Sequence, residues 1–120
     1  MATIKSYTDL AQSKKLAEIL PLESADMVIW GKDLDSIVAT DAQWFMKGLK
    51  DRKINYIPCW SLAALLGVLP LVDFTTPQLI GTPKTLYRCM YNDDLKSHAY
   101  DTPVDACYEM ILKLHELNLL

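Results

Sequence analysis

The sequence predicts an α+β protein, with about four helices packed on a small antiparallel sheet built around a C-terminal β-hairpin, in one globular domain over residues 1–120. Three observations lead there. Apolar residues recur at helical spacing in segments bounded by capping residues and prolines. The β-prone runs are short. One pair of such runs flanks a turn at Asn92-Asp93-Asp94. Hydrophobic residues make up 51% of the chain and charged residues 22%, a balance that supports a packed core without disulfides or metal.

The first helix is expected from Thr8 to Leu20, with Thr8 or Ser6 as cap, Asp9 in the first turn and Pro21 as the stop. Leu10, Leu16 or Ala17, and Leu20 make its apolar stripe. Met27-Val28-Ile29-Trp30, closed by Gly31, reads as a core strand. Thr40-Asp41-Ala42-Gln43 fits a capping box, and Ala42, Phe45, Met46 and Leu49 follow at i, i+3, i+4 and i+7, so a helix is expected over 41–51. Ile54-Asn55-Tyr56-Ile57 reads as a second short strand.

The most apolar element runs from Pro58 to Pro70. Its leucines and alanines favour a helix over 59–69, which carries no charge on any face and must be wrapped by the chain or by a partner. Residues 73–84, with Pro77, Gly81 and Pro83, read as a loop. The hairpin follows, one strand over 86–91 and a return over 96–100. Thr102 then caps a final helix with Pro103 in its first position and Asp105 three residues after the cap. Val104, Cys107, Ile111, Leu114 and Asn118 share one face, flanked by Tyr108 and His115.

Charge narrows the function. Twelve basic and fifteen acidic residues give a net charge of -3, and only Arg52 and Arg88 are arginines. Residues 59–120 hold four basic and seven acidic side chains, a balance that repels a phosphate backbone and disfavours nucleic acid as a partner. The one basic run, Lys47, Lys50, Arg52 and Lys53, reads most simply as a solvated helix end. The longest apolar stretch, 62–71, is too short to span a bilayer, and the N-terminus lacks the apolar segment of a secretory signal. Cys59, Cys89 and Cys107 are odd in number and widely spaced, as expected for reduced, buried thiols in a cytoplasmic protein.

Three blocks carry a resemblance. They are Ser6-Tyr7-Thr8-Asp9-Leu10 continuing through Gln12 to Pro21, then Pro58-Cys59-Trp60-Ser61-Leu62-Ala63-Ala64-Leu65-Leu66, and Thr102-Pro103-Val104-Asp105-Ala106-Cys107 through Leu120. Together they resemble a group of small uncharacterised proteins from gut Bacteroidales and their phages or mobile elements. The resemblance implies a setting, a bacterial cytoplasm or a phage-infected cell, and no chemistry.

Candidate chemistry is sparse. A Cys89–His98 nucleophile with Asp93 or Asp94 as orienting group competes with Cys89 as a small core residue. Asp93, Asp94, Asp101 and Asp73 read as turn formers before they read as metal ligands. Gly31, Gly48, Gly67 and Gly81 are isolated, so no glycine-rich phosphate loop exists. The expected function is therefore a non-enzymatic interaction or binding module, a phage or mobile-element accessory protein acting on an unidentified protein partner or small ligand. No catalytic residue, metal site, cofactor or membrane contact is expected. Trp60, Leu62, Leu65 and Leu66 are the candidate interface, and burying them in a homodimer is one way to cover the uncharged helix. The alternative is a protein that binds or sequesters a small ligand, nucleotides included, in a cleft lined by Trp30, Trp60, Tyr87, Tyr100 and His98. A second alternative is weak nucleic-acid binding through Lys47 to Lys53.

Overall fold

The computed structural model describes residues 5–48, 54–73, 75–81 and 86–120. Among them the elements run α1 (Leu10–Ala17), β1 (Met27–Trp30), β2 (Ser36–Ala39), α2 (Ala42–Gly48), β3 (Tyr56–Cys59), α3 (Leu62–Val68), β4 (Gln78–Gly81), β5 (Tyr87–Met90) and α4 (Pro103–Glu116). This is an α+β fold with two antiparallel sheets, β2-β1-β3 and β4-β5. The chain divides into two compact units, Tyr7–Ala64 and a second made of Leu65–Leu120 with the residues through Ser6.

In the first unit β1 is central, so it is the strand whose Val28 and Ile29 are both buried. β2 and β3 are edges. Pro58, which has no N–H to give a ladder, sits in β3 opposite Val28 and is tolerated there because β3 has one neighbour. The β1–β2 connection turns through Gly31, whose φ of +115° suits glycine, and Leu34 at φ 55°. β2 falls inside the 32–57 stretch, where no strand is expected before Ile54.

The starts of α1, α2 and α3 differ from expectation by a residue or more. Asp9, not Thr8, caps α1: its carboxylate accepts from Gln12 N at 2.8 Å while Gln12 Oε1 accepts from Asp9 N at 3.1 Å. Asp41, not Thr40, caps α2 by accepting from Trp44 N at 2.9 Å. The expected end of that helix lies outside the described residues. α3 begins later than residue 59 because Ser61 is its cap, accepting from Ala64 N at 3.2 Å, and is itself held by the Asp26 carboxylate.

Freed from capping, Thr8 becomes a buried node. Its N–H donates to Trp60 O at 2.9 Å, and its hydroxyl accepts from Trp60 N at 3.2 Å and meets Ser13 Oγ at 2.8 Å. The Cys59 thiol donates to Thr8 O at 3.3 Å. Thr8, Ser13, Cys59 and Trp60 are all fully buried, so every polar group in this cluster needs the partners it has.

In the second unit β5 packs on α4. α4 buries Val104, Cys107, Ile111 and Leu114 as expected, with Pro103, Ala106 and Met110 in addition. Thr102 caps it, accepting from Asp105 N at 3.2 Å. The helix stops at Glu116, so Asn118 is exposed at φ 57° instead of continuing the stripe. Bonds from Asn118 N to His115 O and from Leu119 N to Leu114 O close the end in a Schellman motif.

β5 has a regular partner in β4, within the stretch expected to be a loop. The expected return over 96–100 meets the other edge of β5 through isolated bridges, Met90 with Lys96 and Tyr87 with Tyr100. The reason is local. Cys89 N donates to the Ser97 hydroxyl at 3.0 Å in place of a backbone carbonyl, and His98 N is drawn off to Glu109 on α4.

Candidate functional site

A cleft of about 220 Å³ in the second unit is lined by Arg88, Asp94, Lys96, Ser97, His98 and Lys113. Each side chain arrives from a different piece of local structure. Arg88 comes from β5 and Lys113 from α4. Asp94 is delivered by an Asx turn, in which Asn92 Oδ1 accepts from Asp94 N and Leu95 N, both at 2.8 Å. The same turn starts the return that carries Lys96, Ser97 and His98.

Three cations face Asp94 in the lining, and Glu109, paired with His98 and interacting with Lys113, adds a second carboxylate, so the site is net positive. That is notable in a half of the chain with only four basic residues, Lys84, Arg88, Lys96 and Lys113. Among the described residues the ion pairs involve none of those three lining cations. Arg88 Nε is buried and has no hydrogen-bond partner among the described residues. A buried donor left unpaired costs about 1–3 kcal/mol. Lys113 Nζ donates to Lys96 O at 2.8 Å, which fixes its ammonium at the wall.

His98 closes one side. Its ring is 80% exposed, and Nδ1 pairs with Glu109 at 2.5 Å, while the other Glu109 oxygen accepts from His98 N. Burial works to raise the Glu109 carboxyl. The hydrogen bonds from the His98 side chain and backbone, with the charges of His98 and Lys113, outweigh it and hold Glu109 below its ordinary value. Tyr100 is pushed up, first by burial and then by Glu109. Tyr91 is pushed up to about 12 by burial, and its hydroxyl donates to Pro70 O at 2.6 Å.

The other candidates fall elsewhere. Tyr87 and Tyr100 are paired through their backbones, at 2.6 and 2.8 Å, beside the cleft-lining residues Arg88 and His98. Trp30 and Trp60 belong to the first unit: Trp30 is half-buried with its ring centroid 6.1 Å from that of Phe45, and Trp60 is fully buried with its indole N–H donating to Ser24 Oγ at 2.9 Å. Of the four interface candidates Trp60 and Leu65 are core residues, Leu62 is half-buried and Leu66 is 40% exposed. Lys47 is exposed near the end of α2, and the rest of the basic run lies outside the described residues.

The thiols are placed for packing. Cys89 is fully buried and its side-chain partner is Cys107, whereas His98 is held by Glu109. The Cys107 thiol is pushed up by its hydrogen bond to Cys89 and by burial, and Cys59 by burial. Among the described residues no three His, Cys, Asp or Glu side chains gather as a metal site, and no helix is long and apolar enough to cross a membrane.

A second cavity of about 200 Å³, in the first unit, is lined by Tyr7, Leu10, Ile29, Leu34, Ile37, Asp9 and Asp35 among others. Its Asp9 is the cap of α1. Sequence reasoning found His98 but missed Arg88, Lys96 and Lys113. The available signal was their scarcity: an acidic half with few cations makes any convergence of them worth noticing. No protein-family model, curated protein or solved structure matches this chain.

Proposed function

We propose that the protein is a non-enzymatic binding module whose ligand is a small anion seated in the Arg88–Lys96–Lys113 cleft. The observation that carries this is the convergence of three of the four basic residues of 59–120 on one concavity. Grouping them costs mutual repulsion that Asp94 and Glu109 offset only in part, since three cations face two carboxylates. The 86–100 hairpin is the platform in this reading, since β5 supplies Arg88 and the return supplies Lys96 and His98. A non-enzymatic role fits Cys89 and Cys107, which have each other as side-chain partners, and Cys59, which donates to Thr8 O. The setting implied by the resemblance, a bacterial or phage-infected cytoplasm, belongs to the same proposal.

The test is calorimetry and thermal unfolding with a panel of small anions, inorganic phosphate first. A ligand at a hundredfold above its dissociation constant stabilises by about 2.7 kcal/mol. Arg88→Met is expected to abolish the effect with its own fold intact by circular dichroism. Equal stabilisation of the native protein and Arg88→Met would overturn the reading.

A second reading rests on α3. It carries no charge, and Leu66 is 40% exposed on it. A second copy of the chain or a protein partner would cover that residue. Sedimentation velocity at micromolar concentration separates the two, since Leu66→Glu lowers the mass of a dimer and leaves a monomer unchanged.

A further inference from the structure

Building on the small-anion reading, we infer that the cleft takes the dianionic phosphoryl group of a phosphate monoester, with the remainder of the ligand outside. Charge is the first argument. The lining gathers three cations against Asp94, with Glu109 paired to His98 beside it, so the site keeps a net positive charge and favours an anion. Size is the second. At about 220 Å³ the cleft is smaller than the roughly 300–1,000 Å³ that encloses a whole drug-sized ligand, so it holds a charged end group.

Donor chemistry is the third argument, and it separates phosphoryl from carboxylate. The three cations are donors only: a planar guanidinium fork and two ammonium groups. The unpartnered Arg88 Nε is one arm of that fork. A carboxylate has two oxygens, both of which a single fork uses. A phosphoryl group has three terminal oxygens, enough for the fork and for both ammoniums at once. Lys113 already spends one N–H on Lys96 O and keeps two for a ligand.

Protonation gives the inference a signature. Phosphate monoesters pass from monoanion to dianion near pH 6, so binding tightens as pH rises through that range. Other groups around the cleft also bear charge there: Asp94 on the turn, Glu109 and Lys113 on α4, Arg88 on β5, and Lys96 and His98 on the return. His98→Gln puts an uncharged amide at that wall, so the profile reads the ligand's own protonation.

The experiment is calorimetry on the full chain at a fixed ionic strength of about 0.15 M, with phenyl phosphate, inorganic phosphate, sulfate and succinate as titrants. Phenyl phosphate is expected to bind about tenfold or more tightly than succinate. Arg88→Lys, which keeps the charge and loses the fork, is expected to weaken phenyl phosphate by about tenfold, and Lys96→Gln, on an irregular segment, serves if Arg88→Lys fails to fold. In His98→Gln, affinity for phenyl phosphate should rise from about pH 5.5 to 7.5 while sulfate, a dianion throughout, stays flat. Succinate binding as tightly as phenyl phosphate, or a flat pH profile for phenyl phosphate, overturns the phosphoryl assignment and leaves the small-anion reading standing. Absence of binding by all four titrants overturns both.

Discussion

At the scale of single residues, Glu109 couples the cleft wall to its scaffold. One carboxylate accepts from both the ring and the backbone of His98, so it anchors the return that carries Lys96 to α4. Because those bonds favour the charged form, the folded carboxyl sits below its ordinary value of 4.5. A depressed acid stabilises the fold above its unfolded pKa and loses that contribution as pH falls through its folded pKa. Glu109→Gln is therefore expected to cost about 1 kcal/mol near neutrality, a modest figure because the His98 side of the pair is open to water. The gap between native protein and variant, followed by urea unfolding from pH 7 to pH 3, should close below the ordinary carboxylate range. A gap that stays constant down to pH 3 would mean that Glu109 acts by shape rather than by charge.

At the scale of elements, α4 shows what was legible. Thr102, Pro103 and Asp105 are a start signal that needs no tertiary information, and the apolar period of the helix matches the side chains it buries. Thr102→Ala is expected to cost about 1 kcal/mol in chemical denaturation, and Thr102→Ser to restore most of it. An unchanged midpoint for Thr102→Ala would show that Pro103 and the dipole suffice without the hydroxyl. β1 and β5 were legible for a similar reason, being runs of β-prone side chains.

β2 and β4 were not. β4 follows Pro77 and ends on Gly81, residues that locally signal a turn. Such strands exist because β1 and β5 offer unpaired edges, a non-local cause that propensity does not record. Thr8 illustrates the same limit at a helix start. Its hydroxyl suits a cap, but Asp9 takes that role and Thr8 is worth more as a partner for Trp60 in the core. The cleft was half legible. His98 was named from its type, whereas Arg88, Lys96 and Lys113 are separated by distances in sequence that match no period, and only the β5, return and α4 arrangement brings them together.

At the scale of the whole molecule, charge decides between a small anion and a nucleic acid. The net charge of -3 resides in residues 59–120, since residues 1–58 hold eight basic and eight acidic side chains. Gathering three of the four cations of 59–120 into one cleft leaves the rest of that half more acidic still. Fields are screened over about 8 Å at physiological salt, so an anion inside the cleft responds to the cleft. A duplex of about 20 base pairs extends over many screening lengths and meets the acidic surface as well. Fluorescence anisotropy with such a duplex at about 0.15 M salt is therefore expected to show no binding under conditions where phenyl phosphate binds. Duplex binding that weakens steeply with salt and is lost in Lys47→Glu would move the function to nucleic-acid recognition. The cations of the cleft would then be ordinary surface charges that happen to lie together, and the phosphoryl assignment would fail with them.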